Sequence, residues 1–142
     1  MQAIESQKRM SADARILRHA SVLLVDENSQ DLDDYRLMLT HCGFQVRPCT
    51  NFKEAARLLE AEDFDCIVAS QGGPGFEGRV VLERSVARNR YRPVVITCRH
   101  HNVACYLEAM QLGAVDYLEK PLSPLEMVHA VTTHLQPQNA AA

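Results

Sequence analysis

Residues 64–78 read FDCIVASQGGPGFEG. A polar start leads into Cys66-Ile67-Val68-Ala69, which suits a buried strand, and the strand runs out at Ser70 into a loop of glycines around Pro74. A strand that ends in such a loop is where open α/β sheets keep their ligand chemistry. Two questions follow: whether the rest of the chain alternates strands with helices, and what a serine does at that position.

The alternation holds in both directions. Upstream, SVLLV at 21–25 is a continuous apolar run suited to a central parallel strand, and Leu32, Tyr35, Leu39 and Cys42 recur at helical spacing after it. Gly43 stops that helix, FQVRPC offers a short strand, and Asn51 with Glu54 forms an N-cap pair opening a helix with Ala55, Leu58 and Leu59 on its face. Downstream, Val80, Val81 and Leu82 open a third helix that ends in ARNRYR, and PVVIT at 93–97 is a fourth strand. Val103, Tyr106, Leu107 and Met110 mark a fourth helix ending at Gly113, and AVDYLEK supplies a fifth strand. Ser123-Pro124-Leu125-Glu126 combines a capping serine, a proline at the first helical position and a returning glutamate, starting a last helix to about Leu135. Five strands alternating with five helices predict a parallel sheet, each strand buried on both faces, with right-handed crossovers. Residues 1–20 are an N-terminal extension in which Ile16-Leu17 is the only adjacent aliphatic pair, 21–135 form the domain, and 136–142 (QPQNAAA) read as a tail or the start of a linker.

Composition narrows the function. At 142 residues and 46% apolar, the chain fits one domain with one core. A net charge of -3 with scattered Lys and Arg leaves neither a nucleic-acid footprint nor a polybasic membrane patch. No apolar run approaches membrane-spanning length and the first twenty residues lack a signal-peptide core, so the expected location is the cytoplasm. Five cysteines (Cys42, Cys49, Cys66, Cys98, Cys105) without CxxC spacing read as reduced, mostly buried thiols.

At the carboxyl edge of the inferred sheet the sequence gathers Asp26-Glu27 after the first strand, Ser70 after the third, Thr97-Cys98 after the fourth and Glu119-Lys120-Pro121 after the fifth. VDEN, FDCIVASQGGPGFEG and EAMQLGAVDYLEKP together resemble the receiver domain of two-component response regulators (CheY-like) over roughly residues 21–135. The resemblance implies a flavodoxin-like doubly wound (βα)5 sheet in strand order 2-1-3-4-5. It also implies roles. Asp26 and Glu27 match the acidic pair that holds Mg²⁺, Lys120 matches the phosphate-contacting lysine, and Tyr117 matches the aromatic that swings on activation. Ser70 falls on the phosphoacceptor aspartate. The usual spacing back from the lysine puts Cys98 on the hydroxyl position, and a one-residue gap would restore Thr97.

A serine there changes the chemistry. A carboxylate is ionised at neutral pH and serves as both nucleophile and metal ligand, whereas a serine hydroxyl needs a general base and ligates Mg²⁺ poorly. Any Mg²⁺ on Asp26 and Glu27 is then held weakly, and no other cofactor is expected. Lys120 is expected to pair with Asp26 or Glu27 and to donate to Ser70. The expectation is a non-enzymatic pseudo-receiver acting through protein contacts with signalling proteins (a histidine kinase, an output domain or another regulator) over the fourth helix, fifth strand and fifth helix, with a homodimer also open. One rival keeps phosphorylation at Ser70, Asp65 or Glu77. Another is a small-anion or nucleotide pocket using Arg99, His100 and Lys120. A zinc site from Cys98, His100, His101 and Cys105 matches no standard spacing, and GGPG at 72–75 lacks the P-loop and dinucleotide fingerprints, reading instead as turn chemistry.

Overall fold

A computed structural model describes residues 19–135, so the reading of Ile16-Leu17 and of the 136–142 tail lies outside the described residues. The chain runs β1 (Ser21–Val25), α1 (Ser29–His41), β2 (Gln45–Cys49), α2 (Phe52–Ala61), β3 (Cys66–Ser70), α3 (Arg79–Arg88), β4 (Val94–Cys98), α4 (Val103–Gln111), β5 (Asp116–Glu119) and α5 (Pro124–His134). All pairings are parallel, and the sheet order is β2-β1-β3-β4-β5. This is the doubly wound topology expected from the sequence.

The helix starts follow from capping chemistry. Asn28, Asn51, Asn102 and Ser123 each accept a backbone N–H from the third residue on, satisfying a donor that the first helical turn cannot. Gly43, just beyond α1, takes a left-handed φ of 95°, which is why the helix ends there. The sheet separates two apolar layers. One holds Leu23, Val25, Ile67, Ala69, Val81, Leu82, Ile96 and Tyr117; the other holds Val22, Leu24, Leu39, Cys66, Val68, Val95, Met127 and Val131.

The expectation that every strand is buried on both faces is corrected. Only β3 and β4 are buried throughout, with β1 nearly so, while the edge strands β2 and β5 are partly exposed. An edge strand has one unpaired side, which is how β2 accommodates Pro48. The fourth helix exists as read, and the apolar residues that mark it, Val103, Tyr106, Leu107 and Met110, are 64%, 39%, 52% and 37% exposed, whereas Cys105 and Ala109 are 3% and 0%. Two small residues let α4 sit close to the sheet, and its larger apolar side chains are left on the surface.

Candidate functional site

Asp26 follows β1 directly, its backbone N–H donating to the Cys49 carbonyl (3.0 Å) across the β1–β2 edge. Its side chain is buried, and both oxygens are engaged: Oδ1 accepts the Asn28 N–H (3.0 Å) and Oδ2 accepts Lys120 Nζ (2.6 Å). Lys120 arrives from the opposite side of the sheet, just past β5, where its N–H donates to the Cys98 carbonyl (2.7 Å). Its ammonium also reaches Asp31 Oδ2 (3.1 Å), and the same Asp31 oxygen accepts the Arg99 guanidinium from the β4–α4 loop. The site is thus a chain of alternating charge, Asp26, Lys120, Asp31, Arg99, closed over the end of the central strands.

Burial and pairing pull on these groups in opposite directions. Burial pushes the Asp26 carboxyl above its ordinary range, against the lowering by Lys120 and the Asn28 N–H. For Lys120, burial disfavours the charged form, but Asp26 and Asp31 outweigh it and hold the ammonium above its usual value. The pairing expected of Lys120 is therefore half right. Asp26 is its partner, but Glu27 is exposed and Asp31 takes the second place. The expected donation to Ser70 is absent from the Lys120 hydrogen bonds; the Ser70 hydroxyl instead accepts the Gly72 N–H (3.2 Å).

Ser70 ends β3, 2% exposed, with Thr97 as its register partner on β4. The next residue, Gln71, donates its N–H to the Thr97 carbonyl (2.7 Å) and accepts the Gly78 N–H (2.9 Å). Glu77 closes the glycine loop by accepting the Gly73 N–H (3.1 Å). Asp65 sits at the other end of β3, its Oδ2 taking the Ser21 N–H (2.8 Å), far from the carboxyl edge. Thr97 and Cys98 are both buried, and they face different neighbours. Cys98 shares a layer with Tyr117, and burial raises the Cys98 pKa. Burial, with the Cys98 contact second, likewise raises that of Tyr117.

Arg99 and Lys120, two of the three groups considered for anion binding, are both committed to Asp31, and His100 lies exposed in the loop. His101 packs edge-on against Tyr117 (5.3 Å between ring centres) and beside Tyr106 (5.9 Å). Among the described residues no three His, Cys, Asp or Glu side chains converge as a metal-holding group. Sequence reasoning missed Asp31 and Gln71. For Asp31 a signal existed, since it shares the i, i+4, i+8 stripe of Tyr35 and Leu39, both buried. For Gln71 none did.

The response regulator receiver domain family matches residues 22–132. This chain belongs to that family. Among its relatives, the transcriptional regulatory protein FixJ of Bradyrhizobium diazoefficiens is 31% identical over 124 residues, 85% of this chain and 59% of that protein. The alginate biosynthesis transcriptional regulatory protein AlgB of Pseudomonas aeruginosa is 32% identical, over 88% of this chain and 28% of its own length. This receiver domain therefore spans little more than half, or less, of these curated relatives. Among solved structures, a CheY-like receiver domain protein from Methanospirillum hungatei superposes with a TM-score of 0.79 at 20% identity, covering 87% of this chain and 99% of that one. At that identity the likeness shows the fold alone. Full-length FixJ from B. japonicum superposes at 0.72 with 27% identity, over 85% of this chain and 59% of that one. Within the described residues, no helix of this receiver domain is long and apolar enough to cross a membrane.

Proposed function

We propose that this receiver domain works without conventional aspartyl phosphorylation, presenting a surface to signalling partners rather than accepting a phosphoryl group. Ser70 takes the acceptor's place at the end of β3, and Thr97 or Cys98, both buried, takes the place of the responsive hydroxyl. The observation that carries the reading is Ser70: the residue ending β3 is a buried, neutral hydroxyl that accepts the Gly72 N–H, while the carboxylates on Lys120 are Asp26 and Asp31.

The donor set also does not fit Mg²⁺. The ion favours near-octahedral oxygen coordination with ionised carboxylates, whereas each Asp26 oxygen already accepts a hydrogen bond and the residue at position 70 is an uncharged serine in place of a carboxylate, the one deficit that Ser70→Asp repairs. The displaced acceptors fare no better, Asp65 being tied to Ser21 and Glu77 to the glycine loop. No reaction is assigned to the domain.

The proposed contact surface is α4, β5 and α5, where Val103, Leu107, Met110, Val115 and Leu125 are exposed. Apolar side chains gathered on a helix face suit a protein partner. Because FixJ and AlgB are named transcriptional regulatory proteins, the partners proposed are a histidine kinase, an output domain or another regulator, in the cytoplasm. A second copy of the chain on the same face is the homodimer form of this proposal. The test is intact mass after acetyl phosphate and Mg²⁺, on wild type and Ser70→Asp in parallel. The expected result is a phosphoryl gain in the variant alone; a gain in the wild type overturns the proposal.

A further inference from the structure

Gln71 is a polar side chain 3% exposed with no part in the charge network. Its amide is used at both ends. Nε2 donates to the Gly73 carbonyl (3.0 Å) inside the glycine loop, and Oε1 accepts the Tyr117 hydroxyl, 46 residues away on β5. The Tyr117 oxygen in turn accepts the Asn102 N–H (3.3 Å) at the start of α4. On the ring itself His101 and Tyr106 pack edge-on, with ring centres at 5.3 and 5.6 Å. Tyr106 belongs to the exposed apolar face of α4. A continuous path therefore runs from the residue after Ser70, through one amide and one phenol, to the surface.

From this geometry we infer that Gln71 is the positioning residue that holds Tyr117 inward, and so fixes the α4 face without any covalent change at Ser70. The inference deepens the proposed function by naming how that surface is set, but the Gln71–Tyr117 bond does not require the acceptor reading to be correct. Two features make the amide suited to this work. A carboxamide offers an acceptor and a donor at once, so one side chain ties the loop to the phenol. Both groups are buried, so losing the acceptor leaves a hydroxyl to find another partner or turn toward water. The other hydroxyl contact, the Asn102 N–H, is itself a donor and leaves the phenol proton without a second acceptor.

The experiment uses the full chain labelled with 3-fluorotyrosine. With Tyr35, Tyr91, Tyr106 and Tyr117 as its 4 tyrosines, the protein gives a resolvable ¹⁹F spectrum, and Tyr117→Phe assigns the key signal. Wild type should give one narrow Tyr117 signal with a small solvent-isotope shift. In Gln71→Met, close in length but without the strong acceptor, the fraction of outward Tyr117 should rise roughly fivefold. That change reads as a broadened or second signal with a larger isotope shift, and Tyr106 should move with it. Tyr35 in the opposite layer and Tyr91 on an exposed loop should stay in place, which separates loss of positioning from general loosening. If Gln71→Met does not fold, Tyr117→Phe removes the same bond from the other end, and a displaced Tyr106 signal reads the outcome. Unmoved Tyr117 and Tyr106 signals in Gln71→Met, or an unmoved Tyr106 in Tyr117→Phe, overturn the inference. Acetyl phosphate added to wild type tests the other proposal separately: a mass gain there, with Tyr117 still released by Gln71→Met, sinks the acceptor reading and leaves this one standing.

Discussion

Lys120→Met is the substitution that tests the charge network most directly. Among the described residues the ammonium is the only cation on Asp26, at 2.6 Å, and both side chains are almost fully buried, 4% and 2% exposed. Removing one member of a buried pair costs about 3–5 kcal/mol, because the other charge is stranded. In a domain of this size that corresponds to a fall of roughly 10–20 °C in melting temperature. The stranded group is Asp26 and not Asp31, since Asp31 is more exposed and keeps Arg99. The loss should therefore depend on pH. Burial already raises the Asp26 pKa above 3.8, and without Lys120 it rises further. A folded state that holds its proton more tightly than the unfolded chain loses stability as pH rises from about 4 through the folded pKa. The gap between wild type and variant should widen from pH 5 to pH 7, and Asp26→Asn in the Lys120→Met background should recover most of it. Urea unfolding followed by far-UV circular dichroism at the two pH values measures this. A loss below about 1 kcal/mol at pH 7, or a gap that does not change with pH, would show that Asp26 does not depend on Lys120.

Two further perturbations probe the surrounding frame. Burial pushes the Cys66 thiol from 9.0 up to about 12. The unfolded chain thus releases this proton first, and stability should fall between pH 9 and 12 by about 1.4 kcal/mol per pH unit from this group. Tyr117 and Lys120, also raised, add to the fall above their ordinary values. Urea midpoints at pH 8, 9 and 10 should show a shallower fall in Cys66→Ala, and equal slopes would remove Cys66 as a cause. At Gly78, where the chain enters α3, an added methyl would land on the carbonyl oxygen of Ser70, a backbone atom that cannot step aside alone. Gly78→Ala should cost about 2 kcal/mol or more and displace Gln71, whose carbonyl accepts the Gly78 N–H; unchanged stability and an unchanged Tyr117 environment would count against that close approach.

What the sequence discloses about this domain divides by the range of the interaction. Strands such as SVLLV and CIVAS are legible because burial on both faces demands unbroken apolar runs, and helix starts because Asn28, Asn51, Asn102 and Ser123 act within three residues. Strand order came from the resemblance, since periodicity does not specify which strands pair. Which face of α4 is inside was not legible, because apolar spacing identifies a helix without saying which stripe is buried. Two stripes competed there, and the smaller side chains of Cys105 and Ala109 took the core. Arg99 and Gln71 reach partners 68 and 46 residues away, separations at which local pattern carries no information.

Ser70 and the position of Lys120 are best understood as one fact about charge. A third carboxylate in this pocket would sit within a buried site whose single ammonium already serves Asp26, and burying an uncompensated charge is costly. With a neutral hydroxyl at that position, satisfied by the Gly72 N–H, Lys120 is left to turn its second contact to Asp31. Asp31 then draws Arg99 from the β4–α4 loop, and the four groups balance as two cations against two anions. The loop that supplies Arg99 also supplies His101 and Asn102, which meet Tyr117. The neutral serine thus reaches the α4 surface by two routes, through the salt-bridge chain that anchors the β4–α4 loop and through Gln71 beside it. Both routes end on Tyr117, which is where the proposed setting of the α4 surface without phosphate is open to test.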